Sequence, residues 1–332
     1  MQTPSAAPLH YAILVVLMTS IGACHAKEPA TADNSAAPST DSALEARIQT
    51  LLDKTRKDMV FVEGGTFTMG DFGPVHNADK LPYSGPTNDD VLREVTLDSY
   101  SIGAYKVTYA EFDLFTEAAG RPKVAQDPLD LEYRDLPGTP AGVNWYDAQA
   151  YCQWVGEQLS VPMDLPTEAQ WEYAARSRGE MVVYPTDNGE IEDGRNVASY
   201  DQYKEFTGRH GLIVASMPIG QYPPNPLGLY DLIDHGFEWV QDWYAPEYDI
   251  NDTRNPKGPA TGTEKVQRAH SDWGGDSLFI VSMTVTRFHK HPNPPPNTGS
   301  DGQPMTSNQN AAHTFRCAVN AQDRLNTAKN SQ

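Results

Sequence analysis

The stretch MVFVEGGTFTMG, Met59–Gly70, sets the frame of the fold. Apolar residues alternate on either side of Gly64–Gly65, the pattern of a pair of half-buried strands joined at a glycine turn. Downstream, TYAEFDLFTEAAG (108–120) places Thr108 and Glu111 at capping-box spacing and closes on Gly120, which predicts a helix. NWYDAQAYCQWVGEQL (144–159) starts on Asn144 and keeps Tyr151, Cys152, Trp154 and Val155 within helical reach of one another. LPTEAQWEYAARS (165–177) repeats the capping signature with Thr167 and Gln170. Beyond it, Pro and Gly recur often enough to interrupt long regular elements. Upstream, LEARIQTLLDKTRK (44–57) sets Leu44, Ile48, Leu51 and Leu52 on one side of a helix, predicted over 44–58. The chain from Met59 to about residue 320 reads as one continuous domain, and 321–332 as a disordered tail.

The first 23 residues read as a signal peptide. YAILVVLM (11–18) is far shorter than the roughly 20 apolar residues a membrane-spanning helix requires. It leads into IGAC, which resembles a bacterial lipobox and implies cleavage before Cys24 and lipidation of that thiol. The basic residues usual at the start of such a signal are absent, and an ordinary secretory signal is the alternative. His25 after the cysteine implies sorting to the periplasmic side of the outer membrane. Residues 24–43 carry Ala, Ser, Thr and Pro without an aromatic and read as a flexible tether.

Formal net charge is −19, which disfavours nucleic acid and anionic lipid surfaces and is compatible with divalent cations or a basic protein partner. The chain has 3 cysteines. If Cys24 is lipidated, Cys152 and Cys317 remain as a pair in an oxidising compartment.

MVFVEGGTFTMG, YKVTYAEFDLFTEAAG, VNWYDAQAYCQWVGEQL, LPTEAQWEYAARS, NPLGLYDL, FEWVQDWY and HTFRCAVN occur in that order. Together they resemble the formylglycine-generating enzyme (sulfatase-modifying factor) family over residues 59–320. The resemblance implies an α+β, loop-rich fold with little regular secondary structure, related to C-type lectins. It also implies a disulfide between Cys152 and Cys317, two unlinked buried thiols being the alternative. The family's oxidising centre holds copper between two cysteines near the C-terminus. The matching segment here, VQRAHSDWGGDSLFIVSMTVTRF (266–288), contains no cysteine. Ser277, Ser282 and Met283 cannot supply the thiolates that Cu(I) prefers, so copper and formylglycine-generating activity are not expected.

The stretch DLIDHGFEWVQDWY (231–244) is dense in both acids and aromatics. It resembles the family's calcium loop, which implies the Asp231 side chain, the Asp234 and Gly236 carbonyls and Glu238 as ligands, a hard-oxygen set suited to Ca²⁺. Paired core carboxylates are the alternative. Asn196 and Val197 match a second family calcium site, whose downstream acid is not recognisable. An H-x-H pair, His289 and His291, offers an alternative catalytic metal site, with His270, Asp276 and His313 nearby in sequence.

These readings converge on a periplasm-facing lipoprotein whose domain binds a protein and is not an enzyme: an immunity protein against a secreted antibacterial effector, or an accessory protein. The alternative is a metal-dependent oxidoreductase acting on a small secreted metabolite such as a siderophore precursor. The loops 71–93 and 291–312 are the candidate partner faces.

Overall fold

A computed structural model describes residues 40–84, 91–212, 216–269, 282–295 and 310–325. Cys24, the signal segment, His270 and Asp276 lie outside them, as do most of the loop 291–312 and the end of the tail.

The chain runs α1 (Thr40–Asp58), β1 (Met59–Val62), β2 (Gly65–Met69), α2 (Gly73–His76), β3 (Arg93–Leu97), β4 (Tyr100–Gly103), α3 (Tyr109–Ala118) and α4 (Pro128–Arg134). It continues through α5 (Trp145–Leu159), β5 (Met163–Asp164), α6 (Glu168–Ala175), α7 (Tyr200–Arg209), β6 (Phe237–Trp243), β7 (Lys265–Arg268), β8 (Phe288–Lys290), β9 (His313–Thr314) and β10 (Ala318–Val319). The strands are short and long loops separate them, in line with the α+β, loop-rich expectation.

The predicted helices form where local chemistry nucleates them. Thr108 caps α3 with both halves of a capping box, Thr167 does the same for α6, and Asn144 caps α5 by accepting from the Asp147 amide. α1 starts at Thr40, inside the segment read as tether, and lays Ile48 and Leu52 on the core. α7 is an element the Gly/Pro-rich reading passes over, although Ser199 and Gln202 form the same capping box as the others.

Met59–Gly70 does hold two strands, but they do not pair with each other. β1 pairs with β4, and β2 with β3. The separation happens at Gly64, where an added Cβ would lie 2.4 Å from the Leu97 carbonyl oxygen. The backbones touch there, and the chain crosses from one sheet to the other instead of turning back.

The first sheet has the order β1-β4-β10-β5, and another is β8-β7-β6-β9, with β6 and β9 parallel. One core cluster gathers Phe112, Phe115, Trp145, Tyr151, Trp239 and Phe315 around Cys152 and Cys317, which form a disulfide. A second cluster packs Val62, Phe67, Tyr100, Trp171 and Val266 between α6 and the sheets. Ala321 and Leu325, read as part of a tail, pack against the first cluster, and Arg324 lies over the Phe61 ring.

Candidate functional site

The loop leading into β6 takes its shape from three left-handed residues, Asp231, His235 and Gly236, with φ of 57°, 66° and 80°. At Gly236 the turn also brings the backbone against Ala312, where an added Cβ would meet the carbonyl oxygen at 2.4 Å. This path aims three successive carbonyls at one point. Lys106 fills that point: its Nζ donates to the oxygens of Asp234 at 2.7 Å, His235 at 3.2 Å and Gly236 at 3.0 Å. The ammonium also lies 3.7 Å from Glu238 Oε1, and both side chains are fully buried. Burial pulls the Lys106 pKa down to about 8, with Glu238 acting in the opposite sense.

Glu238 is shared. Arg316 grips it with Nε to Oε2 and Nη2 to Oε1, both at 2.7 Å, and Trp171 Nε1 donates to Oε2 at 3.0 Å. Asp231 accepts from the Gly220 amide at 2.8 Å and lies 3.6 Å from His235 Nε2. Burial pushes its carboxyl up, but His235, that amide and Lys106 outweigh it and hold it below the usual range. Burial pushes Asp234 the other way, above it. The residues expected to hold calcium are therefore brought together, with an ammonium among them. Lys106 Nζ occupies the point on which the three carbonyls converge.

At the second expected calcium position, Asn196 Oδ1 accepts from the Glu192 amide and Val197 O accepts from the Gly194 amide. The neighbouring Asp187 carboxylate is held by the Arg195 guanidinium at 2.8 and 3.0 Å. The histidine pair is not drawn to one point. His289 Nδ1 meets Glu264 Oε2 at 2.8 Å and its ring stacks on Tyr244, whereas His291 Nδ1 lies 2.6 Å from the carbonyl of Asn293. His313 is in the core, 2.9 Å from Gln267 Nε2. Among the described residues no group of three or more His, Cys, Asp or Glu is placed to hold a metal.

An alternating ladder of buried charge runs from α6 outward. Arg176 Nη1 donates to Glu172 Oε1 at 2.8 Å, and Arg268 bridges Glu172 at 3.0 Å and Glu168 at 2.8 Å. Arg287 closes the ladder on Glu168 with bonds of 2.7 and 3.0 Å. Burial works against the Glu168 carboxylate, but the two guanidiniums prevail and bring its pKa to about 2. The outer end opens on a cleft of about 510 Å³ lined by Arg93, Glu168, Trp243, Tyr248, Asp249 and Arg287.

Beneath the cleft, Asp242 accepts the Glu168 amide at 2.8 Å. Burial and the Glu168 charge push its pKa up to about 7, against the pull of that amide, Arg287 and Lys265. A carboxyl held above its unfolded value binds its proton more tightly when folded. The stability this gives is complete below about pH 4 and is lost as pH rises through about 7. Asp242→Asn, which keeps an acceptor for the amide, is expected to raise the unfolding midpoint at pH 8 by a few degrees, on the order of 1 kcal/mol. The gain should vanish near pH 4; a pH series of thermal melts checks it.

Neither Lys106, although it lies within YKVT, nor the arginine ladder carries a local sequence signal that marks it. Among the described residues no helix is long and apolar enough to cross a membrane.

Comparison with known proteins gives a family profile described as "Sulfatase-modifying factor enzyme 1-like domain", matching residues 45–300. The chain is 28% identical over 258 residues to the formylglycine-generating enzyme of Mus musculus, covering 64% of this chain and 65% of that one. It thus spans a little under two thirds of that relative's length. It is 30% identical over 234 residues to the inactive Cα-formylglycine-generating enzyme 2 of Mus musculus, covering 57% of this chain and 70% of that one. Among solved structures, PvdO from Pseudomonas aeruginosa superposes with a TM-score of 0.58 at 22% identity, over 79% of this chain and 93% of that one, a likeness of fold.

Proposed function

Because the chain belongs to the family of sulfatase-modifying factor enzyme 1-like domains, we propose that it uses the family scaffold to bind a protein and not to oxidise a substrate. One observation carries this reading: Cys152 and Cys317, the two cysteines inside the domain, are bonded to each other in the core. No thiol remains between β7 and β8 to bind copper, because residues 266–288 contain no cysteine.

In this reading the lipid on Cys24 holds the domain at the periplasmic side of the outer membrane. The partner is an incoming effector that the domain blocks, or a component it assists. A net charge of −19 supports a basic partner. The loop 71–93 supports one contact face, since Val75, Leu81 and Val91 are exposed by 64%, 60% and 53%.

The test has two arms on the purified protein. Incubation with copper, oxygen and a cysteine-bearing peptide should leave the peptide's cysteine unchanged by mass spectrometry. Titration against the products of adjacent genes should find a basic protein whose binding Val75→Glu with Leu81→Glu weakens by about tenfold or more. The unfolding midpoint of that variant should not change. Conversion of the cysteine to an aldehyde, or stoichiometric iron or copper held by His289 and His291, would replace this reading with an enzymatic one.

A further inference from the structure

Three carbonyls in a row that point inward from a left-handed turn form a ready cradle for a cation. Buried without one, each acceptor would lack a donor. An ammonium has three N–H donors and no acceptor, and Lys106 spends all three on Asp234, His235 and Gly236. Glu238, at 3.7 Å, supplies the counter-charge. We propose that Lys106 is a built-in cation: its ammonium takes the place of a divalent ion in this loop, so the loop keeps its shape without calcium.

The backbone around Lys106 fixes it there. Val107 donates to Phe315 O at 3.0 Å and accepts from Ala141 at 2.8 Å, while Ala104 O accepts from the Tyr230 amide at 2.8 Å. The side chain is fully buried. The three contacts of 2.7–3.2 Å have the lengths of N–H···O hydrogen bonds. Charge agrees as well: a divalent ion placed among these oxygens would face Lys106 and the Arg316 guanidinium, which already grips both oxygens of Glu238.

The full chain can be tested directly. Its unfolding midpoint should be the same in excess EGTA and in excess calcium. Tb³⁺ should give no tryptophan-sensitised emission from this site, although Trp171 donates to Glu238 at 3.0 Å and would sensitise an ion held there. Lys106→Ala should lower the midpoint in EGTA by roughly 5–10 °C, with calcium restoring part of the loss and terbium emission appearing. Asn196→Ala removes the second family position from the comparison. A wild-type calcium response that survives Asn196→Ala, with terbium emission that Glu238→Gln abolishes, would overturn the proposal. So would a Lys106→Ala protein as stable in EGTA as the wild type. If Lys106→Ala does not fold, the two wild-type measurements still decide.

Discussion

Glu172→Ala is expected to cost about 3–5 kcal/mol of unfolding free energy, read as a fall in the urea midpoint at unchanged slope. Glu172 is fully buried and serves three donors: Arg176 at 2.8 Å, Arg268 at 3.0 Å and the Gly70 amide at 2.9 Å. Among the described residues, removing it leaves Arg176 without a carboxylate, its remaining acceptors being the carbonyl oxygens of Glu180, Thr68 and Gly179. Arg268 keeps Glu168, so the loss falls mostly on the inner end of the ladder. A control separates charge from volume. Combining Glu172→Ala with Arg176→Met should recover part of the loss, since the charge left unpaired by the first change is gone. If the double variant is less stable than the sum of the two single changes, the ladder is not what holds α6 against β7.

Replacing both Cys152 and Cys317 with alanine is expected to lower stability by about 4–5 kcal/mol in the chain-entropy account. The two residues are 165 positions apart, so the bond closes most of the domain into one loop. It also joins α5 to the approach of β10 inside the largest aromatic cluster, next to Tyr151 and Phe315. Comparison of oxidised protein, reduced protein and the double variant by denaturant unfolding measures the effect. Reduced protein and variant should agree, apart from a small difference due to the lost sulfur volume. Cys152 is fully buried, so a mild reductant should reach the bond only as fast as the domain opens.

How much of this was legible in the sequence depends on how far each interaction reaches along the chain. Thr108 with Glu111 and Thr167 with Gln170 are local devices, and they begin helices where the spacing predicts. Ser199 with Gln202 has the same spacing and the same outcome, but its Gly- and Pro-rich surroundings masked a ten-residue helix. Strand partners could not be read from alternation alone. Met59–Met69 has the pattern of a hairpin, yet its halves pair in different sheets, with Gly64 packed against the Leu97 carbonyl at the crossing. The expected calcium residues do converge, because the turn that gathers them is encoded within a few positions. Lys106 was invisible there because its acceptors lie 128–130 residues away. The ladder was hidden for the same reason, with Arg268 and Arg287 meeting Glu168 across 100 and 119 positions.

The sheet order β1-β4-β10-β5 has a consequence for the time at which this protein becomes a protein. Ala318–Val319 are inserted between β4 and β5, strands that precede them by more than 150 positions in the chain. Until they arrive, β4 and β5 have no neighbour in common, Cys152 has no Cys317, and Glu238 has no Arg316. Each of these late arrivals comes from one short segment, 316–319. One four-residue segment thus closes sheet, disulfide and buried charge pair together.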